Sequence, residues 1–270
     1  MNIGLTRNFI MGGKLGDFIL SMYAVKNICE RDSCKANIYM YDIGWEFGIR
    51  NTHAEMLPIM IDQDYVNSFN VMDECEIDSV QHSEKNSPVR VFNSKLLSEG
   101  FIDLGGYIRS PLLYKNSWSE IYANLFNFDI KNDYSWITHN KEKLETKDRI
   151  LIHRKFSKTL NHEFPYDQII NEYKDQILFI SSNEKDYFDF PYKDRIEFLK
   201  VSSIEDWFSS INSCAMLVSN LSAPITIAHA LNKLRIAELP NNGDLFHWVG
   251  ESKYCENIKW FLNDQFNNLK

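Results

Sequence analysis

Three short segments of this sequence contain residue types that bind anions or move protons. The first segment, GGKLGD at 12–17, follows an apolar stretch and precedes a helical pattern. Glycine lets a backbone come close to a ligand, and the amides at a helix start attract anions. We therefore expect Gly13, Lys14 and Gly16 to contact an anionic group of a ligand. The spacing matches neither the dinucleotide fingerprint GxGxxG nor a Walker A loop.

Asp17 has the clearest chemistry in this first segment. It is predicted in the first turn of a helix, where a carboxylate complements the helix dipole. The same position keeps the carboxylate ionised, so that it could also act as a general base. The two roles are compatible, and we carry both forward as hypotheses.

A second segment is basic, although the whole chain is acidic. Residues 147–160 hold five basic residues and one acidic residue. Arg154, Lys155 and Lys158 follow a predicted strand, and α/β sheets bind their ligands at such strand ends. Their charge would suit the diphosphate of a donor as it leaves. The alternative is a solvated basic loop.

A third segment joins a predicted strand to a predicted helix through small and polar residues. The residues at this junction are Asn220, Ser222, Ala223 and Pro224. Such a turn exposes backbone amides to a phosphate or a sugar hydroxyl. Ser182 and Asn183, at the polar end of an earlier predicted strand, are expected to bind the same donor. His229 inside the helix is a further candidate, although a lone histidine on a helix is more often structural.

The elements around these segments alternate between strands and helices. In the first half, residues 2–10 predict a strand, Asp17 to about Glu30 a helix, and 36–41 a second strand. In the second half, helices are predicted between successive strands. The predicted strands are at 149–154, 176–182, 197–201, 215–220 and 235–239. A closing helix is predicted at 256–268. This alternation indicates parallel sheets.

We therefore predict an α/β protein of two Rossmann-like, doubly wound lobes, 1–146 and 147–270, with ligands in a cleft between them. The polar segment 139–148 is the predicted linker. Residues 51–84 contain eight carboxylates and no Lys or Arg, with DECEID at 73–78 in their centre. Such a charge run predicts a solvated face, or else a surface that grips a cationic acceptor.

The composition limits the classes of function. The chain has 270 residues, 44% of them apolar, and a net charge of −8. This acidity argues against general binding of duplex DNA, which depends on neutralising phosphates. No window is apolar enough for a transmembrane helix, and five cysteines without a CxxC pair fit a reducing compartment. We expect a cytoplasmic protein, with peripheral membrane contact left open. The histidines lack metal-ligand spacing, so no metal and no cofactor other than a co-substrate is expected.

Two of these segments, in order, resemble the motifs of one enzyme family. The stretch at 12–28 resembles the N-terminal motif of the bacterial lipopolysaccharide heptosyltransferases, which are GT-B glycosyltransferases. Residues 202–239 resemble their C-terminal motif, and ILIHRK at 150–155 resembles the strand that brings a basic residue to the donor phosphates. In that family the Asp of Leu-Gly-Asp is the proposed base, which the resemblance places on Asp17. It also implies inversion at the anomeric carbon and a nucleotide-sugar donor held by the 220–224 turn.

The resemblance implies a metal-independent glycosyltransferase. Its C-terminal lobe would hold a nucleotide sugar, and its N-terminal lobe would bind a glycan or another hydroxyl acceptor. Leu221 stands where the family has an acidic residue, and Ala223 where it has glycine. These differences fit another sugar nucleotide, or a non-catalytic nucleotide- or sugar-binding protein on the same fold. A glycosyltransferase acting on nucleic-acid bases and a dehydrogenase, with Asp42 at the end of its second strand, are further alternatives.

Overall fold

The computed structural model describes residues 5–12, 14–41, 48–72, 79–82, 88–91, 99–112, 116–131, 134–157 and 164–238. Gly13, Lys158, the acidic run 73–78 and the predicted closing helix lie outside these ranges. The chain divides into two compact units. Unit 1 comprises residues 1–131 and 136–138, and unit 2 comprises residues 132–135 and 139–270. Within the ranges described, no helix is long and apolar enough to cross a membrane.

Unit 1 contains strands β1 (Thr6–Met11), β2 (Lys35–Tyr41), β3 (Val66–Met72), β4 (Ser79–His82), β5 (Pro88–Val91) and β6 (Phe101–Asp103). Four of them form a parallel sheet in the order β3-β2-β1-β6. In its register, Asn8 of β1 lies opposite Asn37 of β2 and Phe101 of β6. Strands β4 and β5 form a separate antiparallel pair.

Among the residues described, unit 1 has three α-helices: α1 (Leu15–Asp32), α2 (Ile49–Ile61) and α3 (Trp118–Phe126). A 3-10 turn, Leu104–Arg109, follows β6. Helix α1 is buried along most of its length, which accounts for its nearly continuous run of apolar and small residues. It ends at Asp32, and the next residue, Ser33, caps it with a left-handed backbone (φ 50°). Helix α3 begins with a capping box formed by Ser117 and Glu120.

The described part of unit 2 contains five parallel strands: β7 (Ile150–His153), β8 (Ile177–Ser181), β9 (Glu197–Lys200), β10 (Met216–Asn220) and β11 (Arg235–Glu238). Their order is β11-β10-β7-β8-β9. Every residue of β7, β8, β10 and β11 is buried, as is typical of parallel sheets covered on both faces. The α-helices described in this unit are α4 (Tyr166–Tyr173), α5 (Glu184–Phe188), α6 (Ile204–Ser213) and α7 (Ala223–Ala230).

The polar segment 139–148, which the sequence presents as a linker, is packed against helix α6. The Nε2 atom of His139 lies 2.9 Å from Oγ of Ser209. The backbone N of Lys143 donates a hydrogen bond of 2.7 Å to Oγ of Ser213. This segment is therefore an ordered part of unit 2, because hydroxyl groups of α6 bind its polar groups.

Both sheets reverse their strand order once. In unit 1, β2 and β3 lie on one side of β1, and β6 lies on the other. In unit 2, β8 and β9 lie on one side of β7, and β10 and β11 lie on the other. Ligands of such α/β sheets bind outside the carboxyl ends of the strands, at the reversal. The fold thus directs attention to the ends of β1 and β6 in unit 1, and of β7 and β10 in unit 2.

Candidate functional site

Asp17 lies in the first turn of α1, shortly after the carboxyl end of β1. Its side chain is 9% exposed, and its Oδ2 atom accepts a hydrogen bond of 3.2 Å from the backbone N of Lys14. Gly16 is buried next to it, whereas Lys14 is exposed. Asp17 therefore helps to cap its own helix, in keeping with the role expected of a carboxylate in a first helical turn.

A second carboxylate, Asp103, lies at the carboxyl end of β6, next to β1. Its Oδ1 atom accepts a hydrogen bond of 2.7 Å from the N of Gly105 and so begins the 3-10 turn. Burial raises the pKa of Tyr122 well above its ordinary value, and the negative charges of Asp17 and Asp103 raise it further. Two carboxylates, Asp17 and Asp103, thus lie where the strand order of unit 1 reverses, close enough to affect the pKa of the buried Tyr122.

Asn220 joins the two segments of unit 2 that the sequence predicts as donor-binding turns. Its Oδ1 atom accepts a hydrogen bond of 3.1 Å from the backbone N of Lys155, and its Nδ2 atom donates one of 2.9 Å to the backbone O of Lys155. Asn220 is completely buried at the end of β10, and Lys155 is half-buried just after β7. The reciprocal pair fixes one turn against the other at the reversal of the sheet.

Asp186 connects the turn after β8 to the turn after β7. Its Oδ1 atom accepts a hydrogen bond of 3.3 Å from the N of Phe156, and its Oδ2 atom accepts one of 3.1 Å from Oγ of Ser181. Ser182 and Asn183 follow Ser181 directly and are exposed, and Asn183 caps helix α5. The turns after β7, β8 and β10 therefore form one hydrogen-bonded set.

Arg154 lies in this set, but its guanidinium forms a buried ion pair. Its Nε and Nη2 atoms donate hydrogen bonds of 2.9 Å and 2.7 Å to the two carboxylate oxygens of Glu238. The hydroxyl of Tyr166 donates a third, of 2.8 Å, to the same carboxylate. The guanidinium carbon also lies 5.0 Å from the centre of the Tyr166 ring and 5.3 Å from that of Phe156. A direct contact between Arg154 and a donor phosphate stays a prediction.

His153, at the end of β7, lies beneath the predicted donor turn. Its Nδ1 atom is 3.1 Å from Oγ of Ser219 and 3.2 Å from Oγ of Ser222. Burial lowers the pKa of His153 to about 3, and the positive charge of Lys155 contributes to this lowering. The imidazole is therefore neutral at physiological pH.

The remaining predicted residues lie at opposite ends of helix α7. Ala223 and Pro224 form its first turn, next to Ser222, whereas His229 lies in its last turn. With a rise of 1.5 Å per residue, His229 lies about 9 Å along the axis from Ala223. Burial lowers the pKa of His229 well below its ordinary value, and the charge of Arg235 lowers it further. The structure thus does not bring His229 to the turn.

Four residues that build these sites are not singled out by the sequence analysis: Asp103, His153, Asp186 and Glu238. Three of them share a signal, because each is the last, polar residue of a short strand: Asp103, His153 and Glu238. In the described part of the chain, no group of three or more His, Cys, Asp or Glu residues is placed to hold a metal ion.

Several solved structures of glycosyltransferases are similar to this chain. A glycosyl transferase of family 9 from Veillonella parvula matches with a TM-score of 0.52 and 11% identity, over 99% of this chain and 90% of that one. E. coli heptosyltransferase WaaC with ADP matches with a TM-score of 0.54 and 11% identity, over 93% and 92%. E. coli ADP-heptose lps heptosyltransferase II matches with a TM-score of 0.54 and 12% identity, over 93% and 89%.

No family model and no curated protein matches the sequence. At this level of identity the structural likeness concerns the fold, because one fold can carry many activities. For the fold, the resemblance seen in the two sequence motifs is confirmed. The chain is an α/β protein with parallel sheets, and its fold is similar to that of family 9 glycosyltransferases and heptosyltransferases.

Proposed function

We propose that the protein is a glycosyltransferase that moves a sugar from a nucleotide-sugar donor to an acceptor hydroxyl. Unit 2 would bind the donor at the turns after β7, β8 and β10, and unit 1 would bind the acceptor near Asp17. The observation that carries the proposal is the reciprocal pair of hydrogen bonds between Asn220 and Lys155. It joins two segments that the sequence indicates separately as phosphate sites, at the sheet reversal where such folds bind ligands.

The diphosphate of the donor would be bound by charge and by backbone amides. The start of α7 carries the positive end of a helix dipole and amides that lack partners within the helix. Lys155 and Lys158 would add ammonium groups, and Ser182 and Asn183 would add polar contacts to the donor. Arg154 would act indirectly in this arrangement, since its pair with Glu238 fixes the start of the same loop.

Asp17 is the proposed general base. As the acceptor oxygen attacks the anomeric carbon, Asp17 takes the hydroxyl proton. The bond from the anomeric carbon to the diphosphate oxygen breaks, and the oxygen keeps the electron pair. A single displacement of this kind inverts the anomeric carbon. Lys155, Lys158 and the amides of α7 would stabilise the departing charge in place of a metal ion.

The donor site is tested first by nucleotide binding. ADP, UDP and GDP would each be titrated calorimetrically, without metal and then with Mg²⁺; ADP comes first because one similar structure is described with it. Lys155→Ala should weaken the binding of the preferred nucleotide about tenfold or more, since a charge-assisted contact is lost.

The matched control for Lys155 is Lys147→Ala. Lys147 belongs to the same basic segment but precedes β7, and its Nζ atom pairs with Glu142 at 3.2 Å. The Lys147→Ala variant should therefore bind nucleotide as tightly as the wild type does. Equal binding by Lys155→Ala and the wild type would show that the diphosphate binds elsewhere.

The base is tested by Asp17→Asn, which keeps the size of the side chain but removes its basicity. Turnover of the sugar nucleotide should fall by about 10²- to 10⁴-fold, the usual contribution of a general base, while nucleotide binding is retained. Release of nucleoside diphosphate would be measured with alkyl glycosides as acceptors. Turnover within a few-fold of the wild type would show that Asp17 only caps its helix.

A non-catalytic nucleotide- or sugar-binding protein is the second candidate. It is favoured by Leu221, a half-buried residue in the donor turn at the position where the resembled family has an acid. This candidate predicts nucleotide binding without sugar transfer to any acceptor. Transfer that depends on Asp17 would dismiss it.

A further inference from the structure

The turn that ends helix α1 brings two cysteines together. The backbone N of Cys34 donates a hydrogen bond of 3.0 Å to the carbonyl of Cys29, and the N of Ser33 donates one of 3.4 Å to the carbonyl of Glu30. Together with the left-handed backbone of Ser33, these bonds form a Schellman motif. In this motif the residues at the positions of Cys29 and Cys34 commonly make an apolar side-chain contact. Here that contact position is taken by two thiols.

The hydrogen bond between the two cysteines also limits the distance that a disulfide would span. With standard bond lengths, a separation of 3.0 Å between N and O keeps the two Cα atoms within about 7 Å of each other. A disulfide can join two cysteines up to about that distance, provided that their side chains face each other. The side chains do interact: burial raises the pKa of the Cys29 thiol, and the thiol of Cys34 raises it further through its charge and a hydrogen bond.

A cavity of unit 1 gives small molecules access to this pair. The cavity has a volume of about 590 Å³, within the range of small-molecule sites, and both cysteines line it. Cys34 is 9% exposed and Cys29 is 2% exposed, so a reagent in the cavity would reach Cys34 first. The first residues of β1 and β2, Thr6 and Lys35, line the same cavity. It therefore lies at the amino ends of these strands, at the other edge of the sheet from Asp17.

We propose that Cys29 and Cys34 are a redox-active pair, which disulfides of small thiols oxidise to an intramolecular disulfide. The thiolate of Cys34 attacks one sulfur of the small disulfide, and the first small thiol leaves with the electrons of the broken S–S bond. The thiolate of Cys29 then attacks the sulfur of Cys34 and releases the second small thiol. The protein thiols are oxidised, the small disulfide is reduced to two thiols, and these take up the two protons.

The two steps differ in rate because the two thiols differ in burial. Cys29 must lose its proton before it can attack, and burial disfavours its thiolate. A mixed disulfide on Cys34 should therefore form first and convert to the bridge more slowly. Small thiols reverse both steps, so the pair would follow the ratio of small disulfide to thiol around it. This inference does not depend on the proposed function, because it concerns the other edge of the sheet.

Oxidised glutathione tests the proposal on the folded, full-length protein. The protein would be equilibrated in mixtures of oxidised and reduced glutathione, quenched with acid, alkylated in denaturant and digested with trypsin. Trypsin cuts after Lys26, Arg31 and Lys35, which places Cys29 and Cys34 in separate peptides, NICER and DSCK. Mass spectrometry should find these two peptides joined, with a mass lower than their sum by two hydrogen atoms.

Cys214 and two single variants provide the controls. Cys214 is equally buried, but its thiol donates a hydrogen bond of 3.1 Å to the carbonyl of Ile211 in unit 2, and it should stay reduced. Cys29→Ser should stop at a mixed disulfide between glutathione and Cys34. Cys34→Ser should leave Cys29 reduced, because the more exposed partner is gone.

The same equilibrium in guanidinium chloride separates a pair that the fold holds together from two cysteines that are merely close in sequence. The folded protein should be half oxidised at a ratio of oxidised glutathione to the square of reduced glutathione about tenfold lower than the unfolded chain. The reason is that the motif has already fixed the residues between the thiols. Equal ratios would overturn the proposal. So would a wild-type protein that stays reduced, or a mixed disulfide on Cys34 that never converts to the bridge.

Discussion

At the scale of single residues, Arg154 shows how a partner distant in sequence changes the role of a charge. The sequence places Arg154 in a basic segment that suits a diphosphate. In the structure it pairs with Glu238, 84 residues later. No local sequence pattern reveals that pairing, because Arg154 follows β7 and Glu238 ends β11, two strands that are separated in the sheet by β10. A guanidinium with two N–H groups on a carboxylate has fewer left for a ligand.

Removing one partner of this pair should destabilise the protein strongly. Glu238→Gln leaves the buried Arg154 charge without its counterion, and the free energy of unfolding should fall by about 3–5 kcal/mol. Urea denaturation measures the change. The double variant Arg154→Met/Glu238→Leu, which removes both charges, should lose less than Glu238→Gln.

The control for this prediction is an exposed ion pair. Glu142→Gln breaks the pair with Lys147 at the surface, where solvent screens the charges. It should leave the denaturation midpoint unchanged. A midpoint for Glu238→Gln that matches this control would mean that the Arg154 charge is solvated or paired otherwise.

At the scale of elements, the sequence predicts those with clear start signals and periodicity. The second half is such a case: Ser203 and Asp206 mark the start of α6, and continuous apolar runs mark the buried strands. The middle of the first half lacks these signals. Helix α2 contains Pro58 and begins after Gly48 without a side-chain cap, and β6 has three residues. Because so short a strand could not be predicted, the signal of Asp103 as a polar residue that ends a strand could not be used.

Ser203 and Ser222, the residues that directly precede α6 and α7, give a stability prediction for these helices. Ser203→Ala removes a hydroxyl that caps α6 and should lower the free energy of unfolding by about 1 kcal/mol. Ser222→Ala removes a hydroxyl that caps nothing in α7 and whose contacts with Nδ1 of His153 and the carbonyl of Asn220 are also made by Ser219. It should therefore lower the free energy of unfolding by less. Urea denaturation of both variants, side by side, gives the comparison. Equal losses would contradict the hydrogen bonding described for Ser222.

At the scale of the whole molecule, two histidines with lowered pKa values, one buried and one half-buried, link stability to pH. Burial lowers the pKa of His153 to about 3 and that of His229 well below its ordinary value. In the unfolded chain histidine titrates near 6.5. Below about pH 6.5 the unfolded chain therefore binds more protons than the folded protein, and stability is lost as the pH falls. Above that pH the contribution is fully present.

The expected size of this effect is about 1.4 kcal/mol per pH unit for each histidine. Urea denaturation at pH 7.5 and pH 5.5 would measure the loss for the wild type. His153→Asn keeps a hydrogen-bonding side chain but cannot titrate, so its loss should be smaller by roughly one histidine's share. An equal loss in both proteins would show that His153 does not contribute.

The path of the chain through residues 132–138 limits how such a protein can be recombined. Oγ of Ser135, in unit 2, donates a hydrogen bond of 3.1 Å to the carbonyl of Ala230. Trp136, in unit 1, donates one of 2.8 Å from its indole to the carbonyl of Ile19. A gene fusion that joins halves of two homologues after residue 131 would give Trp136 a foreign neighbour. Chimeras joined after Thr138 would keep buried Trp136 with its own unit and, of these two hydrogen bonds, would divide only the one from the half-buried Ser135 to Ala230. Productive shuffling should therefore favour the later junction.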